Sequence, residues 1–133
     1  MPKVIPPAPN DDDRFFWDGV EAGELRIRAC SACGRTQHPP TPMCPACGSV
    51  TWDARAVSGR GTVASWLVSK HPSRPDGESR LVALVELAEG HRLVSNLCDI
   101  EAADVRNGMP VEVCFRDVGG VRLPQFRPVP EVR

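Results

Sequence analysis

The sequence predicts a mostly β protein in which a short N-terminal helix and a small metal-held ribbon precede a five-stranded barrel. Three observations carry this. Two Cys-x-x-Cys pairs, Cys30/Cys33 and Cys44/Cys47, are each followed by glycine and stand ten residues apart. Three aspartates introduce the apolar-rich stretch RFFWDGVEAGEL. From residue 56 onward, apolar runs of strand length alternate with Gly, Pro and polar turns. At 133 residues the chain can bury one modest core or two small modules in series.

Residues 1–10 carry four prolines and read as an extended or flexible linker. Asp11, Asp12 and Asp13 offer helix caps and a favourable charge at the helix start, and Gly23 is a natural stop. Phe15, Phe16, Trp17 and Val20 make this helix too apolar to stand alone in water. They are the expected interface with a partner protein, the alternative being that the helix packs back on its own barrel.

Leu25, Ile27 and Ala29 alternate into the first cysteine knuckle as a strand, and Val50-Thr51-Trp52 leaves the second as another. Four thiolates at this spacing suit tetrahedral zinc and fill its coordination shell, so the expected role is structural. Two disulfides, a redox Cys-x-x-Cys pair and a rubredoxin-type iron site are the rival uses of the same cysteines. His38, between the knuckles, reads as a loop residue. Cys98 and Cys114 read as small apolar strand residues.

Beyond the ribbon, Gly61–Ser69 is a strand with Gly59 and Gly61 marking a bulge or bend. The polar loop Lys70–Arg80 follows. Leu81–Leu87 and Arg92–Leu97 flank the turn Ala88-Glu89-Gly90, and Ile100–Val105 reads as a short helix. Met109–Val118 and Val121–Phe126 flank Gly119-Gly120 as a second hairpin. Pro124 and Pro128 argue against a long final strand. Trp66, Phe115 and Phe126 are the expected aromatic core. Five strands with a helix between the third and fourth is the order of an OB-fold. The expected organisation is a flexible linker over 1–13, helix and rubredoxin-like zinc ribbon over 14–54, OB-fold over 55–128 and a tail over 129–133.

Charge weighs on function. Lys and Arg total 16 against 17 Asp and Glu. Residues 55–133 balance at +1 and residues 1–54 at −2, before the roughly −2 of a four-thiolate zinc site. An OB-fold that holds single strands needs a basic groove and stacking aromatics, and the chain has no Tyr. A nucleic-acid module is therefore the second reading. No apolar stretch reaches the roughly 18 residues of a membrane span, and the N-terminus lacks a secretory pattern. The expectation is a soluble, cytoplasmic protein with reduced thiols.

The helix ending in Gly-Glu-Leu (23–25), the ribbon CSACGRTQHPPTPMCPACGS, the stretch SGRGTVASWLV and the closing VRNGMPVEVCF…LPQFRP resemble the zinc-ribbon/OB-fold acyl-CoA-associated family, long filed as a domain of unknown function. The resemblance covers about residues 14–128. Thr41 departs from it, standing where the family pattern leads one to expect Arg. The resemblance implies a structural zinc on Cys30, Cys33, Cys44 and Cys47. It also implies an accessory role beside a thiolase-fold, lipid-transfer-protein-like enzyme in a hetero-oligomer, with some members forming the C-terminal domain of a hotdog-fold enoyl-CoA hydratase subunit. Within the family the chain looks closest to the partner of the steroid side-chain aldolase, which cleaves a β-hydroxyacyl-CoA by a retro-aldol step.

The residues agree by their silence. His38, His71 and His91 have no carboxylate or nucleophile beside them, and there is no G-x-S-x-G or phosphate loop. No catalytic residue is expected in this chain. Coenzyme A phosphates would call for Lys70, His71, Arg74 and Arg80 on the polar loop, with Arg28 and Arg35 on the ribbon. The plainer alternative is a solvated loop, with arginines that donate to cysteine sulfurs or partner carboxylates.

Overall fold

A computed structural model of the chain describes residues 6–70 and 79–130. The elements run α1 (Arg14–Glu21), β1 (Leu25–Cys30), β2 (Thr36–Gln37), β3 (Trp52–Val57), β4 (Arg60–Ser69), β5 (Arg80–Leu87), β6 (Arg92–Asn96), a 3-10 turn (Ala102–Asp104), β7 (Pro110–Val118) and β8 (Val121–Pro128). Two compact units result: the chain up to Ser58 with Phe115–Leu123, and Gly59–Cys114 with the chain from Pro124. No helix among the described residues is long and apolar enough to cross a membrane.

In the first unit the helix begins as the acidic run suggests, but by a different device. The Asn10 side-chain oxygen accepts from the backbone N–H groups of Asp12 (2.9 Å) and Asp13 (3.1 Å). Asp13 stands at the N-cap without capping through its side chain. Its carboxylate instead accepts from the Asn10 N–H at 2.8 Å. The turn therefore precedes the helix and uses up the cap. At the other end Gly23 N–H donates to Val20 C=O and Glu24 N–H to Gly19 C=O, the paired closure that a left-handed residue permits. Val20, at 1 % exposure, joins Leu25, Ile27 and Ala29 in the core.

β1 is the central strand, antiparallel to β2 on one side and β3 on the other. The third ribbon strand runs from Trp52 to Val57 rather than over 50–52. Its middle four residues, Asp53-Ala54-Arg55-Ala56, are all exposed, so it carries no alternation that would reveal it.

Arg28, on β1, is the one buried charged residue among the described residues, at 9 % exposure. Its guanidinium lies against Phe15 at 5.3 Å and Trp52 at 5.2 Å. It donates to Thr41 C=O at 2.9 Å and Asp11 C=O at 3.3 Å, with the Asp12 carboxylate 3.6 Å away. One planar fork thus fastens the chain before the helix, the loop between the knuckles and β3 to the central strand. Asp11 and Asp12, at the end of the stretch expected as a linker, are held by it.

The second sheet runs in the order β6-β5-β4-β7-β8. A parallel bridge between Leu97 and Phe126 brings its ends together, with Cys98 N–H donating to Phe126 C=O at 2.8 Å. The Ser95 hydroxyl donates to Pro124 C=O at 2.9 Å. This is the nearly closed five-stranded barrel of an OB-fold. Phe126, fully buried, fills the core with Val63, Val85 and Val111.

Four local readings change. Trp66 and Phe115 stay half-buried, and the Arg122 guanidinium lies 5.6 Å from the Phe115 ring. The bulge falls between Val63 and Ser65, not at a glycine; the bend is at Gly59, whose φ is +78°. The helix expected over 100–105 shrinks to the 3-10 turn Ala102–Asp104, since Asp99 is left-handed and Glu101 extended. β8 runs eight residues through both prolines because it ends the sheet order, where a missing N–H costs no ladder bond.

Replacing Arg28 with Met keeps the bulk but leaves two carbonyls without their donor and removes the charge from between two rings. The expected loss is about 2–4 kcal/mol in urea denaturation, with Arg28→Lys recovering less than half. A change below about 0.5 kcal/mol would refute this tie.

Candidate functional site

The four knuckle cysteines meet because each pair turns the same way. Gly34 N–H donates to Cys30 C=O and Gly48 N–H to Cys44 C=O, both at 2.9 Å. Both glycines sit at φ +78°, which a side chain would strain. Cys30 N–H to Arg35 C=O and Cys44 N–H to Ser49 C=O, both 2.8 Å, close the turns. Each knuckle therefore contributes one buried thiol, Cys30 or Cys44, and one exposed thiol, Cys33 or Cys47.

All four sulfurs lie within 4.8 Å of one another. Cys30 and Cys47 are 3.6 Å apart, and Cys33 and Cys44 are 3.7 Å apart. A tetrahedron with zinc–sulfur bonds of about 2.3 Å has edges of roughly 3.8 Å, so the set fits structural zinc. Among the described residues this is the sole grouping of three or more His, Cys, Asp or Glu able to hold a metal. His38 is not in it; its ring lies 6.2 Å from that of Phe16.

The thiols are unequal. The backbone N–H of Cys33 chiefly draws Cys30 down to about 6, aided by Ala32 and the neighbouring thiols against burial. At Cys44 burial is the largest influence and pushes upward, yet the N–H groups of Cys47 and Ala46 and two neighbouring thiols leave it below the ordinary thiol value. Cys47 is favoured by the Ser49 N–H, but the Cys30 contact, burial and the other two thiols push it up to about 12. The metal-free cluster thus holds protons at neutral pH that a metal must displace.

The remaining expected site residues are scattered. Phe15 is engaged with Arg28, and Phe16 meets Trp17 edge-on at 5.1 Å. All three aromatics are half-exposed. Val20 is buried in its own core and offers a partner no surface, which corrects the expectation for it. Lys70 and Arg80 are exposed at the ends of β4 and β5, where Ser69 pairs Arg80. His71 and Arg74 lie outside the described residues. Arg28 is committed inside the ribbon and Arg35 is exposed.

One surface was not legible in the sequence. Leu67 is 55 % exposed and Val94 66 %. The pairings Leu67–Val82, Ser65–Leu84 and Leu84–Val94 put them on one face, with half-buried Val82 and Leu84 between them. Only the strand register reveals it.

The model of the ChsH2 rubredoxin-like zinc ribbon domain matches residues 17–55, and that of the ChsH2 C-terminal OB-fold domain matches residues 54–116. A subunit of a solved structure, the Ltp2-ChsH2(DUF35) aldolase, is 43 % identical with a TM-score of 0.84, and the match covers 92 % of this chain and 98 % of that one. The chain belongs to the ChsH2 (DUF35) family. A probable enoyl-CoA hydratase alpha subunit of Thermomonospora curvata is 42 % identical over 96 % of this chain and 41 % of its own length. The 3-oxo-4,17-pregnadiene-20-carboxyl-CoA hydratase alpha subunit of Mycobacterium tuberculosis is 43 % identical over 86 % of this chain and 37 % of its own. The chain thus spans about two fifths of the length of these two relatives.

Metal analysis of the purified protein should return one zinc per chain, and Cys44→Ser should release it and unfold the ribbon, since metal binding carries much of the folding of so small a module. Protein with neither zinc nor iron would overturn the site. Chelator competition should show affinity falling as pH drops, most steeply below the Cys30 value of about 6, where that thiol too must lose a proton to the metal. Affinity independent of pH would contradict the thiol assignments.

Proposed function

We propose that this chain is a non-catalytic partner, as subunit or domain, of a thiolase-fold, lipid-transfer-protein-like enzyme acting on acyl-CoA, and that the reaction is retro-aldol cleavage of a steroid side-chain β-hydroxyacyl-CoA. The observation that carries this reading is the near full-length likeness to a subunit of the Ltp2-ChsH2(DUF35) aldolase. The name of the Mycobacterium tuberculosis relative supports a steroid acyl-CoA. Both hydratase alpha subunit names support a second setting for the module, on one polypeptide with a hotdog-fold enoyl-CoA hydratase.

The division of labour follows from chemistry. Four thiolates fill the coordination shell of zinc, leaving it no position to polarise a carbonyl or activate water. The partner supplies the acid, the base and the oxyanion donors. This chain supplies a rigid surface, with Phe15, Phe16 and Trp17 at the contact. Lys70 and Arg80, with His71 and Arg74 between them in sequence, are the cationic residues this reading offers to the acyl-CoA phosphates. A contact that holds the two proteins together buries at least about 1,000 Å² around such an aromatic cluster.

Co-expression with the thiolase-like protein, followed by size exclusion and an acyl-CoA cleavage assay, tests this. The two should co-elute, and Trp17→Ala should weaken association at least about tenfold. Failure to co-elute, together with full activity of the thiolase-like protein alone, would remove the accessory role.

A further inference from the structure

The OB-fold holds a second sulfur pair that zinc does not use. Cys98 follows β6 at the point where the barrel closes, and Cys114 lies within β7. Their sulfurs are 3.3 Å apart, and both residues are half-buried, so small oxidants reach them. The Cys98 thiol donates to Phe126 C=O at 3.5 Å, which leaves the Cys114 thiol donating to the Cys98 sulfur. Phe126 is also the residue whose bridge to Leu97 joins β6 to β8.

We infer that Cys98 and Cys114 form a reversible dithiol–disulfide site that staples the barrel at its closure under peroxide. From 3.3 Å, the two sulfurs need approach by little more than 1 Å to reach the roughly 2.05 Å of a disulfide. In the first step one thiolate attacks a peroxide oxygen; the O–O bond breaks, a sulfenic acid forms and water leaves once the departing hydroxide is protonated. In the second step the other thiol attacks the sulfenic sulfur, the S–O bond breaks, and a second water leaves with the disulfide formed. Hydrogen peroxide is reduced by two electrons and the two thiols are oxidised. A dithiol reductant reverses the change by thiol–disulfide exchange.

The bond joins residues 16 apart and encloses the 3-10 turn Ala102–Asp104. Cross-linking a segment of that length removes freedom from the unfolded chain. It also fixes β7 to the closing end of β6, where one bridge and a few hydrogen bonds hold the barrel shut. The ribbon cysteines differ because bound zinc masks their thiolates.

The test uses the full-length, zinc-loaded protein treated with hydrogen peroxide, alkylated and digested with trypsin. Arg106 lies between the two cysteines, so the disulfide appears as two joined peptides. The expected result is a Cys98–Cys114 linkage with zinc retained, and a thermal midpoint raised by roughly 5–10 °C. Dithiothreitol should reverse the shift, and Cys98→Ser should not show it. Peptide mapping of the unaltered protein decides the matter even if that variant folds poorly. Oxidation that ejects zinc and joins ribbon cysteines while Cys98 and Cys114 stay unlinked would overturn the proposal. So would a linkage that leaves the midpoint unmoved.

Discussion

The first unit depends on bringing four sulfur atoms within 4.8 Å. Its apolar core consists of little beyond Val20, Leu25, Ile27 and Ala29, too few side chains to offset the chain entropy of some sixty residues. A metal that binds only the folded arrangement supplies the difference. Two glycines, four backbone hydrogen bonds and the central strand set the sulfur positions. What looks like a site is first a constraint on the fold.

Arg28 extends that constraint outward. A charge this deep is costly unless its donors are matched, and here two carbonyls, a carboxylate and two ring faces match it. The helix and its aromatics are thereby held by the same strand that carries Cys30. Metal and surface are coupled through β1: the sulfurs fix its end, and its middle fixes Phe15. The helix presents Phe16 and Trp17 from a mount that zinc keeps in shape.

Legibility followed the periodicity of the signal. The two knuckles, the helix stop at Gly23 and the five-strand order were readable because each has a local signature: a spacing, a turn residue, an alternating run. Readings failed where tertiary partners decide. Asp13 looked like a cap until Asn10 claimed its carboxylate. Arg28 read as a donor to phosphates, cysteine sulfurs or partner carboxylates, and only folding shows Phe15 and Trp52 closing over it. The exposed strand Trp52–Val57 has no apolar rhythm to announce it, and two prolines hid the length of the last strand. The meeting of Cys98 with Cys114 depends on barrel closure, which no spacing encodes. The ligand set was fully visible; the surfaces around it were not.

In the proposed role the metal shapes a surface and takes no part in chemistry. Replacing zinc with cobalt in the reconstituted complex tests this most directly, because thiolate-bound cobalt is coloured and its occupancy can be read. Turnover of the acyl-CoA by the cobalt-loaded complex should stay within about twofold of the zinc form, since a filled four-sulfur shell offers no open position. A change of tenfold or more at full cobalt occupancy, with assembly intact, would place the metal in the reaction and contradict a purely structural role.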